Sequence, residues 1–191
     1  MPSKLLDREA RRASILQAAA TAFAQRGFAA TSMDEVATEA GITRLILYRH
    51  FDSKEALYTA VLQQVRDRFI EEFHVGLQEQ RAISAIAALL VVARENPAAV
   101  VLLWRHASRE PQFAAYAEAF RERTVEFART LLRTAGLSSR LRERWAAETL
   151  VSFVFDALLH WLEDGVPGRD DEFLELMAAS LPALVTAWAT H

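Results

Sequence analysis

The chain has 191 residues, enough for one large helical domain or for a small one joined to a medium one. Hydrophobic residues make up 52% and charged residues 25%, the balance of a chain able to bury a core, and the lack of cysteine excludes disulfides, zinc–thiolate sites and thiol catalysis. The net charge of −3 argues against a nucleic-acid partner until its distribution is read: residues 1–54 carry eight Lys/Arg against six Asp/Glu, and residues 55–191 carry fourteen against nineteen. The cationic excess is confined to one end, where counterion release from a polyanion would need it. It is small, so moderate affinity with marked salt dependence is expected. Residues 1–12 are polar and charged, so no leader is expected there, and no apolar run reaches the roughly 18 residues that span a bilayer. The expectation is a cytoplasmic chain with no membrane partner.

A first helix is predicted over 5–26. Ile15, Leu16, Ala19, Ala22 and Phe23 fall on one stripe with Arg, Gln and Thr opposite, and Gly27 ends it. Buried beneath the next two helices, the stripe would hold them at a fixed angle. Arg8, Arg11 and Arg12 offer phosphate or minor-groove contacts, although a solvated helix start accounts for them as well.

Residues 31–54, TSMDEVATEAGITRLILYRHFDSK, are the most informative stretch. Thr31 or Ser32 supplies an N-cap oxygen, and Asp34 and Glu35 in the first turn complement the positive end of a helix dipole. Met33, Val36, Ala37 and Ala40 recur at helical spacing. Gly41 then suits a sharp stop, because glycine takes φ > 0 without a Cβ clash. Thr43 offers a second N-cap, and residues 44–50 make about two turns of a second helix whose inward face holds Leu47 and Phe51. Asp52 and Ser53 form a turn that caps a third helix. Helix, tight glycine turn, helix is the helix-turn-helix arrangement, whose second helix enters the major groove of DNA. Its outward face carries the donors Arg44, Tyr48, Arg49 and His50. Thr43 stands where backbone N–H groups meet a phosphate, Lys54 offers another cation, and Thr31 is a further DNA-binding candidate. The bare geometry equally fits a helical hairpin in any all-α core.

The stretch resembles the N-terminal domain of the TetR family of bacterial transcriptional repressors. The resemblance is carried by Phe23, Gly27-Phe28, Thr31-Ser32, Val36-Ala37, Ala40-Gly41-Ile42, Leu47-Tyr48-Arg49-His50-Phe51 and Ser53-Lys54-Glu55-Ala56-Leu57. It covers roughly the first 60 residues. It implies an all-helical homodimer, operator DNA as partner and a ligand-binding C-terminal domain, with the DNA-binding domain over 1–53 and ligand binding and dimerisation over 54–191. Leu45 and Ile46 depart from the family, which usually has a small residue, often glycine, at the first position and a small or polar one at the second. Leu45 is therefore expected either to meet a thymine methyl or to pack on a neighbouring helix.

Further helices are predicted over 53–74, 80–95, 97–108 and 112–134, then from a cap at Ser138 or Ser139 to 164, and over 173–189. Gly76, Asn96-Pro97, Gly136 and the run Gly165-Val166-Pro167-Gly168 mark the breaks. Pro182 is expected to kink the last helix. The total is nine helices and no strand: an all-α fold with a three-helix head and a larger helical bundle. The last two helices are apolar on more than one face and are expected to form an intermolecular four-helix bundle, a two-fold dimer matching a palindromic operator; wrapping one monomeric core is the alternative.

Ligand-binding candidates are the aromatics Trp104, Tyr116, Phe120, Phe127, Phe153 and Trp161, with Asp156 and His160 four apart inside an apolar run. Aromatics at helical spacing also make ordinary core. Asp156, if buried, needs a partner, because an unpaired buried carboxylate is costly. The expected effector is small and largely apolar, and no cofactor or metal is expected. The five histidines are scattered and no H-E-x-x-H, G-x-S-x-G or phosphate-cradling glycine loop occurs. An enzyme is therefore not expected; an all-α carrier or enzyme without DNA binding is the alternative to a ligand-released repressor.

Overall fold

The computed structural model describes residues 2–78, 82–137 and 139–189, and the side chains among them outside 2–7, 73–78 and 82. The described residues form nine α-helices and no strand: α1 (Pro2–Ala30), α2 (Met33–Glu39), α3 (Arg44–Tyr48), α4 (Lys54–Gln78), α5 (Ala82–Glu95), α6 (Pro97–Val101), α7 (Ala114–Thr134), α8 (Arg140–Asp164) and α9 (Asp170–Ala189). The helix predicted over 97–108 is only α6 in its first part; it widens into a π-helical turn, Leu102–His106, and then tightens into a 3-10 turn, Ala107–Arg109. Asn96 caps α6 through its side chain, and Pro97 takes the first-turn position, where its missing N–H costs nothing.

The chain divides into two compact units, Met1–Arg68 with Asn96–Ala115, and Phe69–Glu95 with Tyr116–His191. The first unit thus takes in a segment far along the chain. Its core is the predicted stripe of α1, with Ile15, Leu16, Ala19, Ala22 and Phe23 at most 1% exposed, joined by Val36, Leu47, Leu57, Val61 and, from the distant segment, Val100 and Leu102. Four aromatic rings lock that segment in: Phe113 stacks on Tyr58 at 4.3 Å and meets Phe28 edge-on at 5.0 Å, while Phe23 meets Tyr58 at 5.0 Å. Tyr58 is wholly buried, and burial, with Glu110 nearby, pushes its hydroxyl well above the ordinary tyrosine value.

In the second unit Phe69, Phe120 and Phe155 form a mutually packed aromatic core. Ion pairs tie its helices together. Arg94 of α5 grips Asp170 with two nitrogens at 2.6 and 3.0 Å, and Trp161 of α8 donates to the same carboxylate at 2.8 Å. Between α7 and α8, Arg121 meets Glu148, and Arg129 and Arg133 meet Glu143, a buried carboxylate that only such pairing makes tolerable.

Several expectations are corrected. Gly76 lies inside α4, whose hydrogen bonds run on to Gln78, so a lone glycine there does not stop the helix. Ser139 occupies the cap position of α8 without a side-chain hydrogen bond; Ser138 lies outside the described residues. Pro182 lies inside α9, where the sequence placed it. Finally, Pro167–Ala189 contains an 18-residue window of mean hydropathy 1.2, which by length and composition alone would suffice to cross a membrane. No unbroken apolar run of that length occurs, as expected, because Glu172, Glu175, Ser180 and Thr186 interrupt this one.

Candidate nucleic-acid interface

Local bonds build the interface. Ser32 is the cap of α2: its hydroxyl accepts from the Glu35 N–H at 3.2 Å, and the Glu35 carboxylate accepts from the Ser32 N–H at 2.7 Å. Those bonds to Ser32 hold the Glu35 carboxyl below its ordinary value. At the other end of α2, Gly41 has φ 64°, and two bonds close the helix: Ile42 N–H to the Ala37 carbonyl at 3.0 Å and Gly41 N–H to the Thr38 carbonyl at 3.1 Å. This pair is the Schellman arrangement, which a left-handed residue makes possible. Thr43 then caps α3, accepting from the Ile46 N–H.

Between those caps the orientation of α3 follows from burial. Leu47 is wholly buried and Phe51 is 5% exposed, so Arg44, Leu45, Tyr48 and Arg49 are left on the outer face, with His50 at its edge half-buried. Arg44 donates to Asp34 of α2 at 3.0 Å and lies over the Tyr48 ring at 5.3 Å. Arg12 of α1 lies over the Phe51 ring at 5.3 Å. His50 has its pKa lowered, by burial first and then by Arg8, Arg11 and Arg12. The start of α1 and the end of α3 therefore share one cationic neighbourhood, which the sequence separated by some forty positions. Asp34 was visible in the sequence only as a first-turn acid; nothing in its spacing announced that it would hold Arg44.

Two predicted contacts are placed otherwise. Thr31 is 1% exposed, and its hydroxyl donates to the carbonyls of Gly27 at 2.8 Å and Ala22 at 3.3 Å. It bridges two carbonyls of α1, and its side chain faces inward. Lys54 donates to the carbonyls of Phe28 at 2.8 Å and Ala29 at 3.3 Å and lies over the Phe28 ring. Its ammonium closes the negative end of α1, so little of that charge faces outward. Leu45, by contrast, is 64% exposed and does not pack on a neighbouring helix.

The ligand candidates differ in unit and in exposure. Trp104 lies on the π-helical turn of the first unit, while the other seven belong to the second. Phe120 is 6% exposed and committed to the aromatic core. Tyr116, Phe127 and Trp161 are half-buried, whereas Phe153, Asp156 and His160 are exposed on one side of α8. Asp156 is exposed, so of the two readings the solvated one holds: the apolar run around it faces the core through Val154, Phe155, Leu158 and Leu159. His160 lies 3.6 Å from Glu163, close to solvent. Of the candidates, His160 and Trp161 line an open groove of about 430 Å³ with Asp164, Val166, Phe173 and Leu176. Among the described residues no group of three or more His, Cys, Asp or Glu is placed to hold a metal ion.

Comparison with known proteins agrees with this geometry. Residues 15–61 match the family described as "Bacterial regulatory proteins, tetR family". The HTH-type transcriptional activator FasR of Mycolicibacterium smegmatis is 32% identical over 177 residues, covering 89% of this chain and 80% of FasR. The HTH-type transcriptional repressor KstR2 of Rhodococcus jostii is 38% identical over 80 residues, 40% of this chain and 39% of KstR2. Among solved structures, a TetR-like transcriptional regulator from Rhodococcus sp. RHA1 shares the fold with a TM-score of 0.74 at 24% identity, over 92% of this chain and 93% of that one. AibR, solved in complex with isovaleryl coenzyme A and operator DNA, matches with a TM-score of 0.68 at 24% identity, over 87% of this chain and 95% of AibR. A capped helix-turn-helix with its polar face outward, inside this all-α fold and on these relatives, makes the chain a DNA-binding transcriptional regulator of the TetR family.

Proposed function

We propose that the protein is a repressor that binds a palindromic operator as a homodimer and is released when a small, largely apolar effector occupies its C-terminal region. The observation that carries the reading is the outer face of α3: Thr43, Arg44, Leu45, Tyr48, Arg49 and His50 stand around a helix whose opposite side is locked into the core by Leu47 and Phe51. On this reading residues 1–53 read the DNA and residues 54–191 bind the effector and dimerise, in the cytoplasm, with no catalytic step and no membrane partner.

Dimerisation is assigned to α8 and α9. Leu141, Trp145, Phe153 and Leu176 are large apolar side chains left 37–80% exposed along these helices, and a second copy that covers them would set two α3 helices against successive major grooves, about 34–36 Å apart. Release then requires that the effector bind the DNA-free conformation more tightly, with a coupling of about 1–3 kcal/mol. AibR was crystallised with an acyl-coenzyme A thioester, which makes short acyl thioesters the first effectors to try. Activation is a second reading, favoured by FasR, a relative over most of the chain that carries the name of an activator.

Gel shifts on the DNA flanking the protein's own gene, at two salt concentrations and with a panel of acyl-coenzyme A thioesters, test the proposal. Sequence-selective, salt-sensitive binding that an acyl thioester abolishes supports repression; binding that the thioester strengthens supports activation; no binding under any condition favours the carrier. Asp156→Asn and His160→Ala separate the roles left to α8. A weaker dimer marks interface groups, a lost effector response marks ligand anchors, and no change removes both.

A further inference from the structure

The outward side chains of α3 differ in how far they are already committed. Arg44 is tied to Asp34 and lies over Tyr48. The Thr43 hydroxyl is engaged by the Ile46 N–H. Leu45 alone among the exposed members of this face is aliphatic, and at 64% it is the most exposed large apolar side chain of the N-terminal unit among the described residues. A single leucine flanked by Arg44 and Arg49 is too small and too charged a surface for a protein partner, which needs a contiguous apolar patch. In a major groove it has one chemical match.

Thymine is the base that presents a methyl group there; the other bases present hydrogen-bonding edges that a leucine covers without satisfying. We propose that Leu45 is a specificity-determining residue whose side chain packs on the 5-methyl group of one thymine in each half-site. The proposal rests on the reading of α3 as the DNA-contacting helix and deepens it. Asp34 has a part in it. By holding Arg44 against α2, it keeps the neighbouring guanidinium from reaching across to the base that Leu45 covers. Arg49, four positions on and on the same face, stays outward toward the backbone or a guanine edge.

The test uses the full-length protein. Duplexes are selected from a randomised pool, and each thymine of the selected sequence is then replaced by uracil, which removes only the methyl group. One thymine per half-site is expected at which uracil weakens binding about four-fold, the effect of one buried methyl. Leu45→Ala should be indifferent to that replacement, and Leu45→Met, which keeps an apolar end, should retain the sensitivity. Leu45→Ala should melt like the parent protein, since the side chain is exposed. Indifference of the parent protein to every uracil, or undiminished sensitivity in Leu45→Ala, overturns the role of Leu45 and leaves the regulator standing. Enrichment of no duplex at any salt concentration overturns both.

Discussion

Two surfaces of this protein expose side chains in ways that solvent alone does not explain, and they are built by opposite means. Around α3 the frame is set by bonds between near neighbours: Ser32 with Glu35, the carbonyls of Ala37 and Thr38 with the turn at Gly41, Thr43 with Ile46, Asp34 with Arg44. Along α8 and α9 the exposed Trp145, Phe153 and Leu176 are what remains after distant helices have packed and paired, Arg121 with Glu148 and Arg94 with Asp170. The first surface is specified by two dozen consecutive residues. The second is a remainder, and its shape depends on contacts that no short stretch contains.

Four measurements put this contrast to the test. The largest effect is expected where the local account fails inside the N-terminal unit. Phe113 arrives from the distant segment, is 5% exposed and stacks on Tyr58. Phe113→Ala should cost about 3–5 kcal/mol of stability in chemical denaturation, and a loss under about 1 kcal/mol would mean that the head stands without that segment.

Next comes the long-range bond of the second unit. Arg94→Ala strips the half-buried Asp170 of its two-nitrogen partner and should cost about 2 kcal/mol. The Asp170 carboxyl is held below its ordinary value, chiefly by Arg94 with help from Trp161, while burial opposes them. Its contribution is therefore complete above the unfolded pKa and is lost as the pH falls through the lower folded one. Asp170→Asn should remove that share of the acid sensitivity; an unchanged acid profile would deny the pair its role.

Ser32→Ala probes the local surface and should cost about 1 kcal/mol, with operator affinity falling alongside. A variant that keeps affinity while losing stability would show that α3 is oriented by burial and owes little to its caps.

The smallest effect is protonic. In the free protein burial and Arg8, Arg11 and Arg12 lower the pKa of His50. A phosphate beside it would offset those arginines and raise the value again, so binding would take up a proton. Affinity should then rise as the pH falls between the higher pKa of the complex and the lower one of the free protein. His50→Gln should flatten that slope, and a slope that survives belongs to another group. Stability moves the other way, falling as the pH drops below the ordinary histidine value, because the unfolded chain protonates more readily.

The same contrast explains what could be read from the sequence. The stripe of α1, the caps at Ser32 and Thr43, the turn at Gly41 and the outward face of α3 are all consequences of spacing within a few residues, and they stand where spacing puts them. Thr31 and Lys54 depart from expectation because their partners are carbonyls of α1, whose course past the break at Gly27 spacing does not give. For Asp156 spacing left burial open, because an apolar run on a helix has two sides, and only packing decides which one is wet. Of the ligand candidates, spacing did not single out His160 and Trp161 as lining one groove, since a cavity is defined by several helices at once.

Two glycines carry a last consequence. At Gly41 a Cβ would meet nothing within 4 Å, yet φ is +64°; at Gly165 a Cβ would come within 2.8 and 2.9 Å of the Trp161 ring, which Asp170 and Phe173 hold in place. The first position asks for an angle and the second for room. Asparagine, which tolerates the left-handed region, should therefore serve at 41 where alanine serves poorly, whereas at 165 every replacement, asparagine included, also runs into the Trp161 backbone carbonyl and must shift the end of α8 as well as the indole.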